Sequence, residues 1–289
     1  MIKNYRTALI TGTSQGIGPY MAQALAKEGL NLVLAARSAS KLEAVADELR
    51  ATGVQVSAIP TDVTNPQSLT DLVRLAEKEF GEVDVLVNNA GGDPQREFHN
   101  FSAKDVEHVI RLNLTSAIEL TRLLLPKMLE RGRGHIVNIS SLGGWIGFPY
   151  TEVYSACKTG LVGFTRVLRA DYGPRGIGAS ALVLGVVWGA GQTSRTMQET
   201  GLPMPAMAKV FASSPEAVGR ALVRTLRHNS VETVVTPGPG GLMKMQMDLF
   251  PGLGPVMNKM FGVADLMKKV ADFREQERQR ILASKAQTW

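Results

Sequence analysis

Residues Thr11 to Gly18 read TGTSQGIG, directly after the apolar run RTALI and directly before PYMAQALAKEG. The pattern is a strand, a glycine-rich turn and a helix. Gly12, Gly16 and Gly18 let the backbone turn tightly and come close to a pyrophosphate, whose charge would meet the unpaired amides and positive end of the helix. Pro19 falls in the first turn of that helix, where its missing N–H is tolerated. A glycine-rich turn by itself says little, but one at the first strand-to-helix junction of an alternating chain points to a dinucleotide.

The rest of the chain supplies that alternation. RTALITG, LNLVLAAR, VQVSAIPTD, VDVLVNNAG, GHIVNISS, IGASALVLG and ETVVTPG read as seven strands, separated by helix-period segments such as SKLEAVADELRA and SLTDLVRLAEKEF. Parallel neighbours need crossover connections, so the pattern predicts an α/β fold with a parallel seven-stranded sheet covered by helices on both faces. Such a sheet binds ligands beyond the carboxyl ends of its strands, where strand order reverses. Residues that carry chemistry should therefore follow the strands.

Composition bounds the alternatives. The 289 residues suffice for one large domain with an appendage. A single cysteine, Cys157, allows no intrachain disulfide and no thiolate zinc site, and His99, His108, His135 and His228 lack metal-ligand spacing, so no metal is expected. A cytoplasmic setting fits this usage and an N-terminus, MIKNYRTALITG, without a signal-peptide core. The most apolar stretch, ASALVLGVVWGAG, is broken by glycine and shorter than the roughly 20 residues of a membrane helix, so no transmembrane span is expected. The formal charge of +6 is scattered among acids without interleaved aromatics, which argues against a nucleic-acid partner. Part of it suits an anionic cofactor.

Two short stretches carry more specific chemistry. The second strand ends LAARS, where a carboxylate would hold the ribose hydroxyls of NAD; Arg37 follows Ala36 instead, and a guanidinium suits the 2′-phosphate of NADP. An ordinary surface arginine is the other reading. In YSACK, Tyr154 and Lys158 lie four residues apart and share a helix face. That spacing alone is commonplace. A tyrosine titrates near pH 10, and an adjacent ammonium together with the positive nicotinamide ring of a bound cofactor would favour its ionised form and draw Tyr154 down. Cys157, without a dedicated base, reads as a packing residue.

With the glycine turn, NNAG at Asn88 to Gly91, NIS followed by Ser141, and Tyr154 with Lys158 all in order, the chain resembles the short-chain dehydrogenase/reductase family from about Arg6 to about Gly240. The resemblance implies a doubly wound Rossmann-type catalytic domain over residues 1–240 and a homodimer or homotetramer; beyond it, residues 241–289 are expected to form a helical C-terminal extension. The activity implied is an NADP-dependent oxidoreductase interconverting a ketone or aldehyde and an alcohol on a fairly apolar small molecule. Tyr154 would be the acid/base, Lys158 its electrostatic partner, Ser141 a hydrogen-bond donor to the substrate oxygen, and Asn113 part of the proton relay. Ser141 is preferred over Ser140 because members usually place the serine thirteen residues before the tyrosine. The implied cofactor contacts are Thr11, Gly12, Ser14, Gln15, Gly16, Ile17, Gly18, Arg37, Ser38, Asp62, Val63, Asn89, Ala90, Gly91, Gly185 and Val187, with Tyr154 and Lys158; Thr11 should brace the turn. Trp145 and Phe148 either line the substrate cleft or pack in the core.

The chain also departs from the family. Members usually follow the sixth strand with Pro-Gly and then a threonine that holds the nicotinamide amide. VLGVVWGAGQTS instead has Leu184, Gly185 and then Gly189 at the threonine's place, with Thr193 and Ser194 as the nearest substitutes. Gln15 stands where many NADP-preferring members carry a basic residue. These changes keep a second expectation open, an NADP-binding regulatory or scaffold protein with impaired turnover. The segment from Ala190 to Ser213, rich in methionine and proline, reads as a mobile apolar lid or as a plain surface connection. Beyond Gly240, apolar stretches with glycine and proline breaks suggest short helices before a charged C-terminal helix. A substrate flap, an oligomer contact and a weak peripheral membrane contact compete for this extension.

Overall fold

In the computed structural model, which describes residues 2 and 5–286, seven strands among the described residues form one parallel sheet. They are β1 (Thr7–Thr11), β2 (Asn31–Ala36), β3 (Val56–Pro60), β4 (Val85–Asn88), β5 (Gly134–Ser141), β6 (Ile177–Leu184) and β7 (Glu232–Val235), one for each expected apolar run. Their spatial order is β3-β2-β1-β4-β5-β6-β7. The chain builds outward from β1 to β3, then returns to the other side of β1 to lay down β4. That reversal opens a crevice beyond the ends of β1 and β4. Every residue of β1 and of β6 is buried, the pattern of strands covered on both faces.

The helices are α1 (Gly18–Lys27), α2 (Ala39–Arg50), α3 (Pro66–Phe80), α4 (Ala103–Ile110), α5 (Ser116–Glu130), α6 (Gly143–Ile146) and α7 (Glu152–Tyr172). After β6 come α8 (Gly191–Thr200), α9 (Ala206–Val210), α10 (Pro215–His228), α11 (Gly240–Leu249), α12 (Leu253–Met260) and α13 (Val263–Ala286). Because side chains alternate along a strand, Ile10 and Leu9 serve opposite layers. Ile10, Leu32 and Val137 pack with Met21 and Leu25 of α1 and Leu222 of α10. On the other face Leu9, Val33 and Ile136 pack with Leu72 of α3, Leu124 of α5 and Leu168 of α7. The carboxyl ends of the strands are thus held in register with the starts of α1, α6 and α7.

The C-terminal extension closes one side of the crevice. α12 lies so near α6 that a Cβ on Gly254 would collide with Ile146 O, and Asn258 Nδ2 donates to Gly147 O at 3.0 Å. Leu266 and Val270 of α13 pack with Met197 and Met204, which joins the extension to α8. The outer faces of α11 and α12 leave Leu249, Phe250, Val256 and Met260 exposed. Among the described residues no helix is long and apolar enough to cross a membrane. Residues 287–289 of the charged C-terminal segment lie outside the described residues.

Candidate active site

The glycine turn is shaped by what surrounds it. Gly12 has φ +72°, and a Cβ there would stand 2.9 Å from Asn89 Nδ2 and 3.0 Å from Ala90 Cα. Thr11 Oγ1 accepts from the amides of Asn89 at 3.1 Å and Ala90 at 3.0 Å, while Asn89 Nδ2 donates to Thr11 O at 2.8 Å. The loops after β1 and β4 are therefore stitched together by Thr11 and Asn89. Gly18 starts α1 where a Cβ would strike Gly12 O, so it serves close packing of helix on turn. Thr11 braces the turn from behind, as its expected bracing role requires, and neither it nor Gly18 lines the cleft.

The other expected contacts do line it: Ser14, Gln15, Gly16 and Ile17 of the turn, Arg37 and Ser38 after β2, Asp62 and Val63 after β3, Asn89 to Gly91 after β4, and Gly185 and Val187 after β6. The cleft measures about 930 Å³. Burial pushes the Asp62 carboxyl up, but hydrogen bonds from the Thr64 amide (2.9 Å) and hydroxyl (2.8 Å), with the charges of Arg37 and His108, hold it below its ordinary range. These groups fit a nicotinamide dinucleotide, since a Cβ on Gly91 would stand 2.7 Å from Asn113 Oδ1 and fill the approach to Lys158.

Beyond this lies a polar floor. Ser141, the last residue of β5, lines the cleft with Tyr154, and its Oγ accepts from the Gly143 amide at 3.1 Å. Both Ser140 and Ser141 line the cleft, but the Ser140 hydroxyl is buried and donates to Lys158 O at 2.7 Å, which leaves the more exposed Ser141 hydroxyl for a ligand. Tyr154 and Lys158 stand one turn apart on α7, with Lys158 Nζ 5.5 Å from the tyrosine ring centroid. The ammonium donates to Ile139 O at 3.0 Å. Asn113 sits in a π-turn, Arg111–Thr115, that widens the helix between α4 and α5. Its Nδ2 donates to Gly92 O at 2.8 Å and Val109 O at 2.9 Å, and its Oδ1 accepts from the Gly92 amide at 3.0 Å.

The protein's own groups act on Tyr154 mainly through burial. Burial pushes Tyr154 up to about 12, Asp93 and Cys157 add to the rise, and only the Ser141 hydroxyl opposes it. Lys158 itself is pushed down to about 8 by burial, partly offset by Cys157. The Cys157 thiol is raised, again by burial first, and its side chain packs with Val109 and Val153.

Asp93, two residues past the NNAG turn, is a cleft residue that sequence reasoning missed. Burial lifts its carboxyl to about 7; the Gln95 amide hydrogen bond lowers it and Glu152 raises it. Of the two aromatics read as either cleft or core, Phe148 lines the cleft, whereas Trp145 packs with Leu142, Val162 and Val183, and the Lys244 ammonium lies 4.5 Å from its ring. The segment expected as a mobile apolar lid is mostly the helices α8 and α9. Gln192 donates to Asp93 O at 3.0 Å, Thr196 Oγ1 to Gln95 Oε1 at 2.8 Å, and Glu199 pairs with Arg274 of α13. Thr193 lines the cleft, while the Ser194 hydroxyl is taken by the Gly189 amide at 2.9 Å. An apolar wall of Met197, Met204, Met257, Phe261 and Leu266 completes the space. Among the described residues no group of three His, Cys, Asp or Glu could hold a metal ion.

The short chain dehydrogenase family model matches residues 6–200. A ketoacyl reductase, HetN, of a Nostoc species is 38% identical over 274 residues, covering 93% of each chain. Among solved structures, a variant of actinorhodin polyketide ketoreductase with NADPH superposes with a TM-score of 0.71 at 30% identity, covering 83% of this chain and 97% of its own. A bulky-bulky ketone specific alcohol dehydrogenase from Comamonas testosteroni superposes with a TM-score of 0.72 at 26% identity, covering 87% of this chain and 94% of its own.

Proposed function

The chain belongs to the short-chain dehydrogenase family and is an oxidoreductase, and from that premise we propose that it uses NADP to interconvert a ketone or aldehyde and an alcohol on a fairly apolar small molecule. The observation that carries this reading is that Ser141, Tyr154 and Lys158 come together at the floor of a cleft whose outer wall is methionine, phenylalanine and leucine. The relatives that act on ketones and the NADPH of the polyketide ketoreductase support it.

The glycine turn would hold the pyrophosphate, Asp62 and Val63 the adenine, and Arg37 the 2′-phosphate. When bound, the dinucleotide supplies the hydride in reduction and accepts it in oxidation. The chain's own part is to hold the carbonyl oxygen between Ser141 and Tyr154 and to move one proton. In reduction, the phenol O–H bond breaks and its proton goes to the substrate oxygen as the carbonyl carbon becomes tetrahedral. A tyrosine held near 12 stays protonated at neutral pH, which is the state a donor needs. Lys158, near 8, supplies a charge that steadies the phenolate left behind. Both donors of the Asn113 amide are used by Gly92 and Val109, so Asn113 would position the Gly92 loop as well as serve the relay. The exposed apolar side chains of α11 and α12 suit a contact between copies of the chain.

The test is NADPH consumption against a panel of hydrophobic ketones and aldehydes, with wild type beside Tyr154→Phe. Turnover by wild type that falls by about 10²-fold or more in the variant, with NADPH still bound, is the expected result. Undiminished turnover in the variant refutes the role given to Tyr154.

A further inference from the structure

The phosphate turn carries no basic residue of its own, because Gln15 stands at the position where one would be expected. A cation reaches it from elsewhere in the chain. α8 begins directly over the turn, with Gly191 Cα 3.5 Å from where a Cβ on Gly16 would be. One turn along the same helix, Arg195 extends back across the turn, and its Nη2 comes within 3.8 Å of that same position. Gln15 presents its side-chain oxygen to both terminal nitrogens of Arg195 at 3.2 Å each, in the amide orientation that satisfies both groups. Gln15 and Arg195 both line the cleft, and among the described residues Arg195 forms no ion pair. A neutral amide thus steadies a guanidinium whose charge is not met by a carboxylate.

We propose that Arg195 is the cationic ligand of the dinucleotide's pyrophosphate, supplied from α8 in place of the base missing at Gln15. The proposal rests on the reading that the cleft takes a nicotinamide dinucleotide. A guanidinium offers two parallel N–H donors to phosphate oxygens, a match that a single ammonium lacks. Gln15 can hold the fork by one face while other N–H groups remain free for the anion. Its position over Gly16, at the start of α1, aims it at the pyrophosphate, whereas Arg37 after β2 is placed for the 2′-phosphate.

There is a mechanical corollary. Arg195 shares α8 with Gln192 and Thr196, which hold the Asp93–Gln95 loop, and with Met197 on the substrate wall. A phosphate bound by Arg195 therefore fixes the helix that forms one side of the substrate space.

The test is a fluorescence binding titration of NADPH and of NADH against wild type, Arg195→Gln, Arg195→Lys and Arg37→Glu. Arg195→Gln is expected to weaken both dinucleotides alike by about tenfold or more, the size of a lost charged hydrogen bond, and Arg195→Lys to recover part of the loss. Arg37→Glu should weaken NADPH selectively. Thermal unfolding without dinucleotide should be the same for Arg195→Gln and wild type, which separates binding from folding. Unchanged affinity in Arg195→Gln overturns the proposal, as does a loss confined to NADPH, which would assign Arg195 to the 2′-phosphate. Wild type that binds neither dinucleotide overturns the proposed function and this inference with it.

Discussion

Lys158→Met, read as a function of pH, tests the electrostatics of the floor directly. Lys158 is 4% exposed, and burial carries it from 10.5 to about 8. At about 1.36 kcal/mol per pH unit, that fall of roughly 2.5 amounts to about 3 kcal/mol. The sign follows from the protons. Below pH 8 both folded and unfolded chains hold the proton, and the cost of burying the charge is fully present. Between about 8 and 10.5 the unfolded chain still binds it and the folded chain does not, so the stability of wild type rises with pH across that window. Methionine fills much of the same volume and does not titrate. Its loss of the hydrogen bond to Ile139 O costs about 1 kcal/mol at every pH, and therefore cancels from the slope. The measurement is urea unfolding of both proteins, without dinucleotide and at one protein concentration, from pH 7 to 10.5. Wild type should gain on the variant by about 3 kcal/mol over the upper part of that range, with a flat difference below pH 8. A difference that stays constant with pH refutes the idea that burial depresses Lys158.

Asp93→Asn should remove a pH-dependent limb near 7 from kcat/KM, because the wild-type carboxyl, held up to about 7 by burial, becomes charged there beside Tyr154. Superimposable profiles would show that Asp93 does not report to the tyrosine. Arg37→Glu should raise the Kd for NADPH by about tenfold or more while moving that for NADH by less than about twofold, as expected when a guanidinium that pairs with a phosphate is replaced by a like charge. Equal losses for both dinucleotides would remove Arg37 from the 2′-phosphate.

The sheet was legible because each strand is a short continuous apolar run bounded by turn residues, and a strand buried on both faces needs nothing subtler. The glycine turn and the Tyr154–Lys158 spacing were legible because their chemistry is local, within one turn of chain. What escaped depends on distant partners. Trp145 faces Lys244 of α11, so nothing near it in sequence assigns it to packing rather than to the cleft. RLNLT has ordinary helical composition, yet it forms a π-turn whose Asn113 bonds the Gly92 loop. The burial around Tyr154 and the direction of Lys158 are likewise not local in sequence. Helical spacing brings Lys158 near, but which way its ammonium points is decided by Ile139 O on β5. Asp93 is ordinary in sequence and acquires its raised titration only from the walls that bury it.

The departures after β6 bear on whether this chain is an enzyme or an eroded relative that merely binds cofactor. Leu184 keeps the sheet intact: it pairs in register with Ser141, and its carbonyl accepts from the Leu142 amide at 2.8 Å. The next residues are also fixed, since Gly185 N donates to Val235 O at 2.9 Å and Ser213 N to Val186 O at 2.8 Å. Gly189 then takes φ +95°, a region that threonine enters only with strain, and its amide donates to Ser194 Oγ at 2.9 Å. A threonine could not simply be restored at this position without rebuilding the turn. The loop instead advances by a few residues and sets Thr193 against the cleft at the start of α8, the helix that also carries Arg195. An eroded loop would be expected to leave backbone groups unpaired and its helix untethered. This one is hydrogen-bonded at Gly185, Val186, Trp188 and Gly189, and α8 is tied to the Asp93 loop and α13, an ordered arrangement that supports the proposed enzyme over the eroded alternative.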